Sequence, residues 1–252
     1  MTAPVLARQV FGAGRVYRHP RTGEEAPSIT TILGVLDKPA LPRWAAKEAA
    51  EYAAAHWDAL GALPERDRVK LIKAAPWDRS GDAASIGDRV HDHIDRLVSG
   101  EPTTASYEPE VQPFMTAFDD FVDTWRPEFR MSEFTVWNRT VGYAGTGDFL
   151  ACIGGQLILG DHKTGKGVYA EAALQLHALA HAEVIVYPDG SEEPLPQVDR
   201  LAVLHLRPNK WELIEVHRTP ETWAAFKSAA LLYRWKRQEH TVFGTRRSGT
   251  VQ

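Results

Sequence analysis

The chain has a single cysteine, Cys152, among 252 residues. That excludes an intramolecular disulfide framework and any four-cysteine metal or iron–sulfur cluster. It has little net charge, −4 at pH 7, whereas a protein that coats nucleic acid by bulk electrostatics carries a large positive excess. A local basic groove stays open, and Lys227, Arg234, Lys236, Arg237, Arg246 and Arg247 are the candidates for one. No apolar run approaches the ~18 residues of a membrane span. The opening MTAPVLARQVFGAGRVYRHP lacks the apolar core of a secretion signal, so a cytoplasmic location is expected. There is no internal repeat and no low-complexity block. With 44% hydrophobic and 25% charged residues, the remainder reads as an ordinary globular protein, long enough for one core and an elaborated helical part.

Punctuation divides the chain near Pro127. Before it lie a strand-like start at Val16-Tyr17, a short helix capped at Ser28, and an alanine-rich helix from Arg43 to Trp57. Helices over 64–74 and 84–98 follow, the second with Ile86, Val90, Ile94 and Leu97 on one stripe. A loop at Gly100-Glu-Pro-Thr-Thr precedes a helix over 109–125 that turns Phe114, Phe118 and Phe121 inward. After Pro127, period-two alternation from Glu133 predicts a strand, and a glycine hairpin adds two more. A helix over 168–185, a turn at Pro188-Asp-Gly, strands at 201–206 and 211–216, and a helix opened by Thr219-Pro220 complete the order. The helix between the third and fourth strands implies a mixed sheet and an α/β class.

The hairpin carries the chemistry. Gly154-Gly155 suits the positive backbone angles of a two-residue type I′ turn, which sets Ile153 opposite Gln156. Counting outward along both strands sets Asp148 opposite Asp161. Opposed Cβ atoms stand ~4.5–5.5 Å apart, and like charges so placed repel, so a cation between them is expected. Two carboxylates leave coordination positions for water and phosphate, which suits Mg²⁺ or Mn²⁺. Lys163, two residues past Asp161, points to the same face of an extended strand. The same alternation predicts a buried Cys152.

Gly145-Thr-Gly-Asp148, Asp161-His-Lys163-Thr-Gly, and Gln175-Leu on the following helix resemble the PD-(D/E)XK nuclease superfamily, nearest its RecB-like exonuclease branch. Gly87-Asp-Arg-Val-His91 resembles the histidine-bearing helix of that branch, and Ser28-Ile-Thr with Leu41-Pro-Arg-Trp44 is similar to helical segments of phage-encoded members. The resemblance implies a restriction-endonuclease-like core over 127–252, with a central mixed sheet flanked by helices. An N-terminal helical region over 1–126 would supply the histidine, the whole forming one compact unit. It implies a Mg²⁺- or Mn²⁺-dependent deoxyribonuclease, an exonuclease before an endonuclease, with DNA and recombination or replication proteins as partners. Asp148, Asp161 and Lys163 would be catalytic. His91, Asp148, Asp161 and the backbone carbonyl of His162 would bind metal, and Asp95, one turn beyond His91, would accept from it. Gln175, Thr164 and Lys166 would meet substrate, and Glu133 would be an accessory acid. Periodicity alone does not choose between His91 and His93, which flank the apolar stripe. The family's tyrosine four residues after the glutamine is here Leu179, and Tyr169 is the nearby aromatic.

Other patterns point elsewhere. Gly160-Asp-His-Lys-Thr-Gly165-Lys166 fits the Gly-x4-Gly-Lys phosphate loop of nucleotide hydrolases, though Gly167 stands where Ser or Thr would bind Mg²⁺. A DNA-binding module without catalysis is the other rival. His177 and His181 have zinc-helix spacing without the neighbouring glutamate, and a partly exposed helix face is expected for them. Trp125, Trp211 and Trp223 are expected in the core. Trp44 and Trp57 are expected there too, with base stacking as the alternative.

Overall fold

A computed structural model describes residues 7–10, 14–101, 106–238, 242 and 244, without the side chains at 79, 82 and 83. Arg246, Arg247 and most of the loop after Gly100 lie outside the described residues. The described residues open on a small antiparallel sheet, β1 (Ala7–Val10), β2 (Gly14–Arg18) and β3 (Glu25–Pro27), and the strand expected at Val16-Tyr17 is β2, so the N-terminal region is not helical throughout. Its short strands lean on Trp137 through Tyr17 and Ala26, which form one buried cluster with it.

Helices α1 (Ile29–Leu33), α2 (Ala40–Ala55), α3 (Trp57–Gly61), α4 (Glu65–Val98) and α5 (Gln112–Trp125) follow. The Ser28 hydroxyl caps α1 by accepting from the Thr31 amide at 3.0 Å. The two helices expected over 64–74 and 84–98 are one, running through Pro76. Proline forfeits a hydrogen bond inside a helix, but α2 packs along α4, with Trp44 edge-on to Trp77 beside the proline.

The main sheet has seven strands in the order β10-β9-β6-β5-β4-β7-β8. They are β4 (Glu128–Asn138), β5 (Tyr143–Ile153), β6 (Gln156–Lys163), β7 (Val184–Val186), β8 (Glu192–Pro194), β9 (Arg200–Arg207) and β10 (Lys210–Val216). All neighbours are antiparallel except β6 and β9, so the class is α/β with a mixed sheet. Between them runs α6 (Ala170–Ala180), and α7 (Pro220–Arg237) closes the chain behind its Thr219 cap. The helix expected to reach 185 ends early. The β-branched run Val184-Ile185-Val186 pairs with β4 instead, and the expected turn at Pro188 becomes part of a β7–β8 hairpin.

Two buried layers sandwich the sheet. On one face α1, α6 and α7 cover Val136, Leu150, Leu159 and Val203. On the other, Val90 and Ile94 of α4 and Phe118 and Phe121 of α5 cover Phe149, Ile158 and Leu204. Thus α4, which carries His91, is clamped to the sheet by its apolar stripe. Three aromatic expectations are corrected: Trp57 is 74% and Trp125 45% exposed, and His177 is buried, its Nε2 3.1 Å from the His217 carbonyl oxygen. Trp125 ends α5 just before a left-handed Arg126, where the chain leaves the core. Cys152, near a strand end, is half-buried rather than buried. Among the described residues, no helix is long and apolar enough to cross a membrane.

Candidate metal centre and cleft

The hairpin turn forms as its glycines dictate. Gly154 and Gly155 have φ of 59° and 79°, and Ile153 pairs with Gln156. Pairing continues outward to Phe149 opposite Gly160 and stops there. One step beyond, Asp148 Oδ2 accepts from the backbone N–H of His162 at 2.7 Å. The Asp148 carboxylate, on the central strand β5, therefore lies just past the last paired residues of the hairpin. On one side is Asp161, 1% exposed, held by Lys163 Nζ at 2.5 Å from Oδ2 and by the Gln175 amide, which donates to Oδ1 at 2.9 Å.

The break in pairing recurs between β4 and β5. Ser132 pairs with Phe149 and Phe134 with Gly147, but Glu133 and Asp148 between them do not pair. Glu133 has φ of 47°, a left-handed conformation rare for a residue with a side chain and costing ~1–3 kcal/mol. It brings Glu133 Oε1 to 3.9 Å from His91 Nδ1, with Asp148 Oδ2 at 3.7 Å from the same nitrogen. The helix is close here. A Cβ on Gly87, one turn before His91, would stand 2.8 Å from the Thr164 hydroxyl.

Electrostatics follow from this crowding. Burial disfavours charge on His91, yet Asp148 and Glu133 overcome it and push its pKa up to about 9. Burial raises the Asp161 carboxyl to about 7, and the Asp148 charge adds to the rise against the opposing Lys163. Asp148 itself is raised by burial, with His91 pulling the other way. His162 is held neutral by burial and by the charges of His91 and Lys163.

Sequence reasoning used only the carbonyl of His162, but its imidazole joins the centre. It is 3% exposed, stacks on Phe149 at 4.8 Å and meets His91 edge-on at 5.5 Å. Among the described residues, potential ligand atoms of His91, Asp148 and His162 lie mutually within 4.8 Å. A usable signal was present: His162 shares a strand face with Gly160, on which the ring of Phe149 lies.

The centre opens into a cleft of about 390 Å³ lined by Arg15, Tyr17, Thr30, His91, Glu133, Asp148 and Gln175. A second hollow of about 210 Å³ shares Thr30 and Gln175 and adds Lys38, Lys163 and Tyr169. Arg15 and Tyr17, from the small sheet, were not anticipated; the Tyr17 hydroxyl lies 2.7 Å from that of Thr146.

No protein-family model matches this chain, and no curated protein matches it. Among solved structures, one described as the crystal structure of SSO0001 aligns over 79% of this chain and 87% of that one, at 13% identity and a TM-score of 0.36. Likeness at that level says nothing about activity.

The remaining expected residues divide. Thr164 is half-buried against α4, and Lys166 is exposed on the turn before α6. Gln175 spends its amide on Asp161, so in this state it orients an acid. Asp95 is buried in the cleft wall. His93 faces away, 3.2 Å from Glu108 and edge-on to Tyr107, so geometry selects His91. Of the phosphate-loop pattern, Gly160 to Lys163 lie inside β6, paired with β9, and only Thr164 to Lys166 fall in the connection to α6, which begins at Ala170. Of the basic tail, Arg234 donates to the Val141 carbonyl at 2.6 Å, and Lys227 and Arg237 lie over Trp223 and Tyr233.

Proposed function

We propose that this protein is a divalent-metal-dependent deoxyribonuclease with a restriction-endonuclease-like core of the PD-(D/E)XK kind, acting in the cell interior on DNA ends. One observation carries the reading: the Asp161–Lys163 ion pair lies within electrostatic reach of Asp148 and His91, which line the cleft. The donor set fits a divalent ion. Asp148 and Asp161 are buried carboxylates whose charge is met in the protein by Lys163 and His91, where a divalent ion would meet it more fully, and the buried Nε2 of His162 has no hydrogen-bond partner in the protein.

His91, Asp148 and Asp161 would hold the ion, Mg²⁺ or Mn²⁺, which when bound supplies Lewis acidity to the phosphate and a more acidic water. Lys163 stands at the cleft end of β6, where its ammonium orients the attacking water or balances charge gathering on the phosphorus oxygens. Gln175 keeps Asp161 in one orientation. Glu133, through His91, sets the imidazole ring. In hydrolysis a water oxygen bonds to phosphorus, the P–O bond to the departing sugar oxygen breaks, and a proton ends on that oxygen. Recombination or replication proteins are the partners such an activity would serve.

The test is hydrolysis of linear and circular DNA, single- and double-stranded, with Mg²⁺, Mn²⁺ or EDTA. Metal-dependent loss of linear DNA is expected, abolished in Asp161→Ala and Lys163→Ala. Cleavage indifferent to both substitutions refutes the reading. Metal-independent binding without cleavage would favour a silent DNA-binding module.

A further inference from the structure

The imidazole of His162 is placed on the same centre from the opposite face of the sheet to Asp161. We infer that it is a direct ligand, adding a second imidazole to that of His91 at the proposed site, so that the centre selects Mn²⁺, Co²⁺ or Zn²⁺ over Mg²⁺. This rests on the nuclease site proposed above and specifies its cofactor.

Three observations support it. Nε2 of His162 is buried and has no hydrogen-bond partner, a costly state for a polar atom unless something else engages it. The ring is fixed by packing, stacked on Phe149 and edge-on to Phe118 at 6.2 Å, so it is pre-oriented rather than loose. Finally, potential ligand atoms of His91, Asp148 and His162 lie within 4.8 Å of one another. Two ligands each ~2.1 Å from one ion stand at most ~4.2 Å apart, so the group closes by a fraction of an ångström. The 3.7 Å between His91 Nδ1 and Asp148 Oδ2 is already within that limit.

The chemistry then decides between metals. Mg²⁺ demands oxygen and keeps its waters, whereas imidazole suits first-row transition ions and zinc. A site with His91 as its single imidazole would show a weaker preference. With the imidazoles of His91 and His162 on one side and Asp148 on the other, affinity should rise along the Mn²⁺, Co²⁺ series.

The experiment is electron spin-echo spectroscopy of Mn²⁺ bound to the full chain, with ¹⁴N- or ¹⁵N-labelled histidine, and calorimetric titration of Mn²⁺, Co²⁺ and Mg²⁺. Two imidazole nitrogens are expected in the native protein. His162→Phe, which keeps an aromatic ring against Phe149, should show one nitrogen, an affinity for Mn²⁺ and Co²⁺ lower by ~10-fold or more, and unchanged Mg²⁺ affinity. A single nitrogen in the native protein overturns the inference, and this readout needs no variant to fold. An unchanged nitrogen count in His162→Phe overturns it equally. Should Mn²⁺ bind through one nitrogen and DNA still be cut, the nuclease reading survives alone. Should no divalent ion bind, both fall.

Discussion

Glu133 and Asp148 stand opposite each other across β4 and β5 at a gap in their pairing, and Glu133 adopts a left-handed backbone there. Strain and carboxylate repulsion coincide at the spot where both acids approach His91. Glu133→Gly relieves both, because glycine adopts this φ freely. Above about pH 9, where His91 carries no charge for Glu133 to balance, the metal-free variant should be at least as stable as the native protein, by up to ~1–3 kcal/mol, while binding Mn²⁺ more weakly. Urea midpoints in EDTA, set beside metal titrations, check it; a clear loss of metal-free stability would count against stored strain.

Stability without metal should fall as pH rises. His91 binds its proton more tightly folded than unfolded, so its contribution is complete below 6.5 and disappears towards about 9. Asp161 keeps its proton to about 7 when folded but loses it near 3.8 when unfolded, so stability drains between those values. Both slopes run the same way. A divalent ion replaces the missing protons, so the rise in Tm on adding Mn²⁺ should be larger at pH 8.5 than at pH 6. Equal shifts at both would contradict these couplings.

Gly160 leaves room for the Phe149 ring: a Cβ there would lie within 1.8 Å of the ring tip. Gly160→Ala must therefore push Phe149 off the strand, at ~1–3 kcal/mol for overpacking. Since His162 stacks on Phe149, Mn²⁺ affinity should fall as well. Denaturation and calorimetry on the one variant test both effects.

Lys163→Ala should separate binding from chemistry. It removes the ammonium beside Asp161 but no metal ligand, so kcat should fall by ~10²-fold or more. Metal affinity should hold or rise, since Asp161 loses a competing cation. Steady-state rates and calorimetry distinguish this from a structural role, in which both would decline.

Much of this arrangement was legible beforehand because it depends on short-range rules. Gly154-Gly155 fixes a turn, the turn fixes a register, and the register brings Asp148, Asp161 and Lys163 to one end of the sheet. The apolar stripe through Val90 and Ile94 likewise sets the helix that delivers His91. What escaped depends on tertiary context. Pro76 promised a break, but packing by α2 sustains the helix through it. Val184 to Val186 sat inside an alanine-rich helical pattern until β4 offered an open edge. The His162 imidazole was overlooked because strand alternation sends it away from Asp161. At the interrupted pairing of Glu133 and Asp148, the Asp148 carboxylate meets the His162 amide and approaches His91.

The long helix α4, clamped to the sheet by Val90 and Ile94 and approached by Thr164 at Gly87, has a temporal consequence. The centre draws on a helix made early in synthesis and on a hairpin made much later. A chain that lacks either element therefore holds only part of the donor set, and the whole set exists only where helix and hairpin are docked.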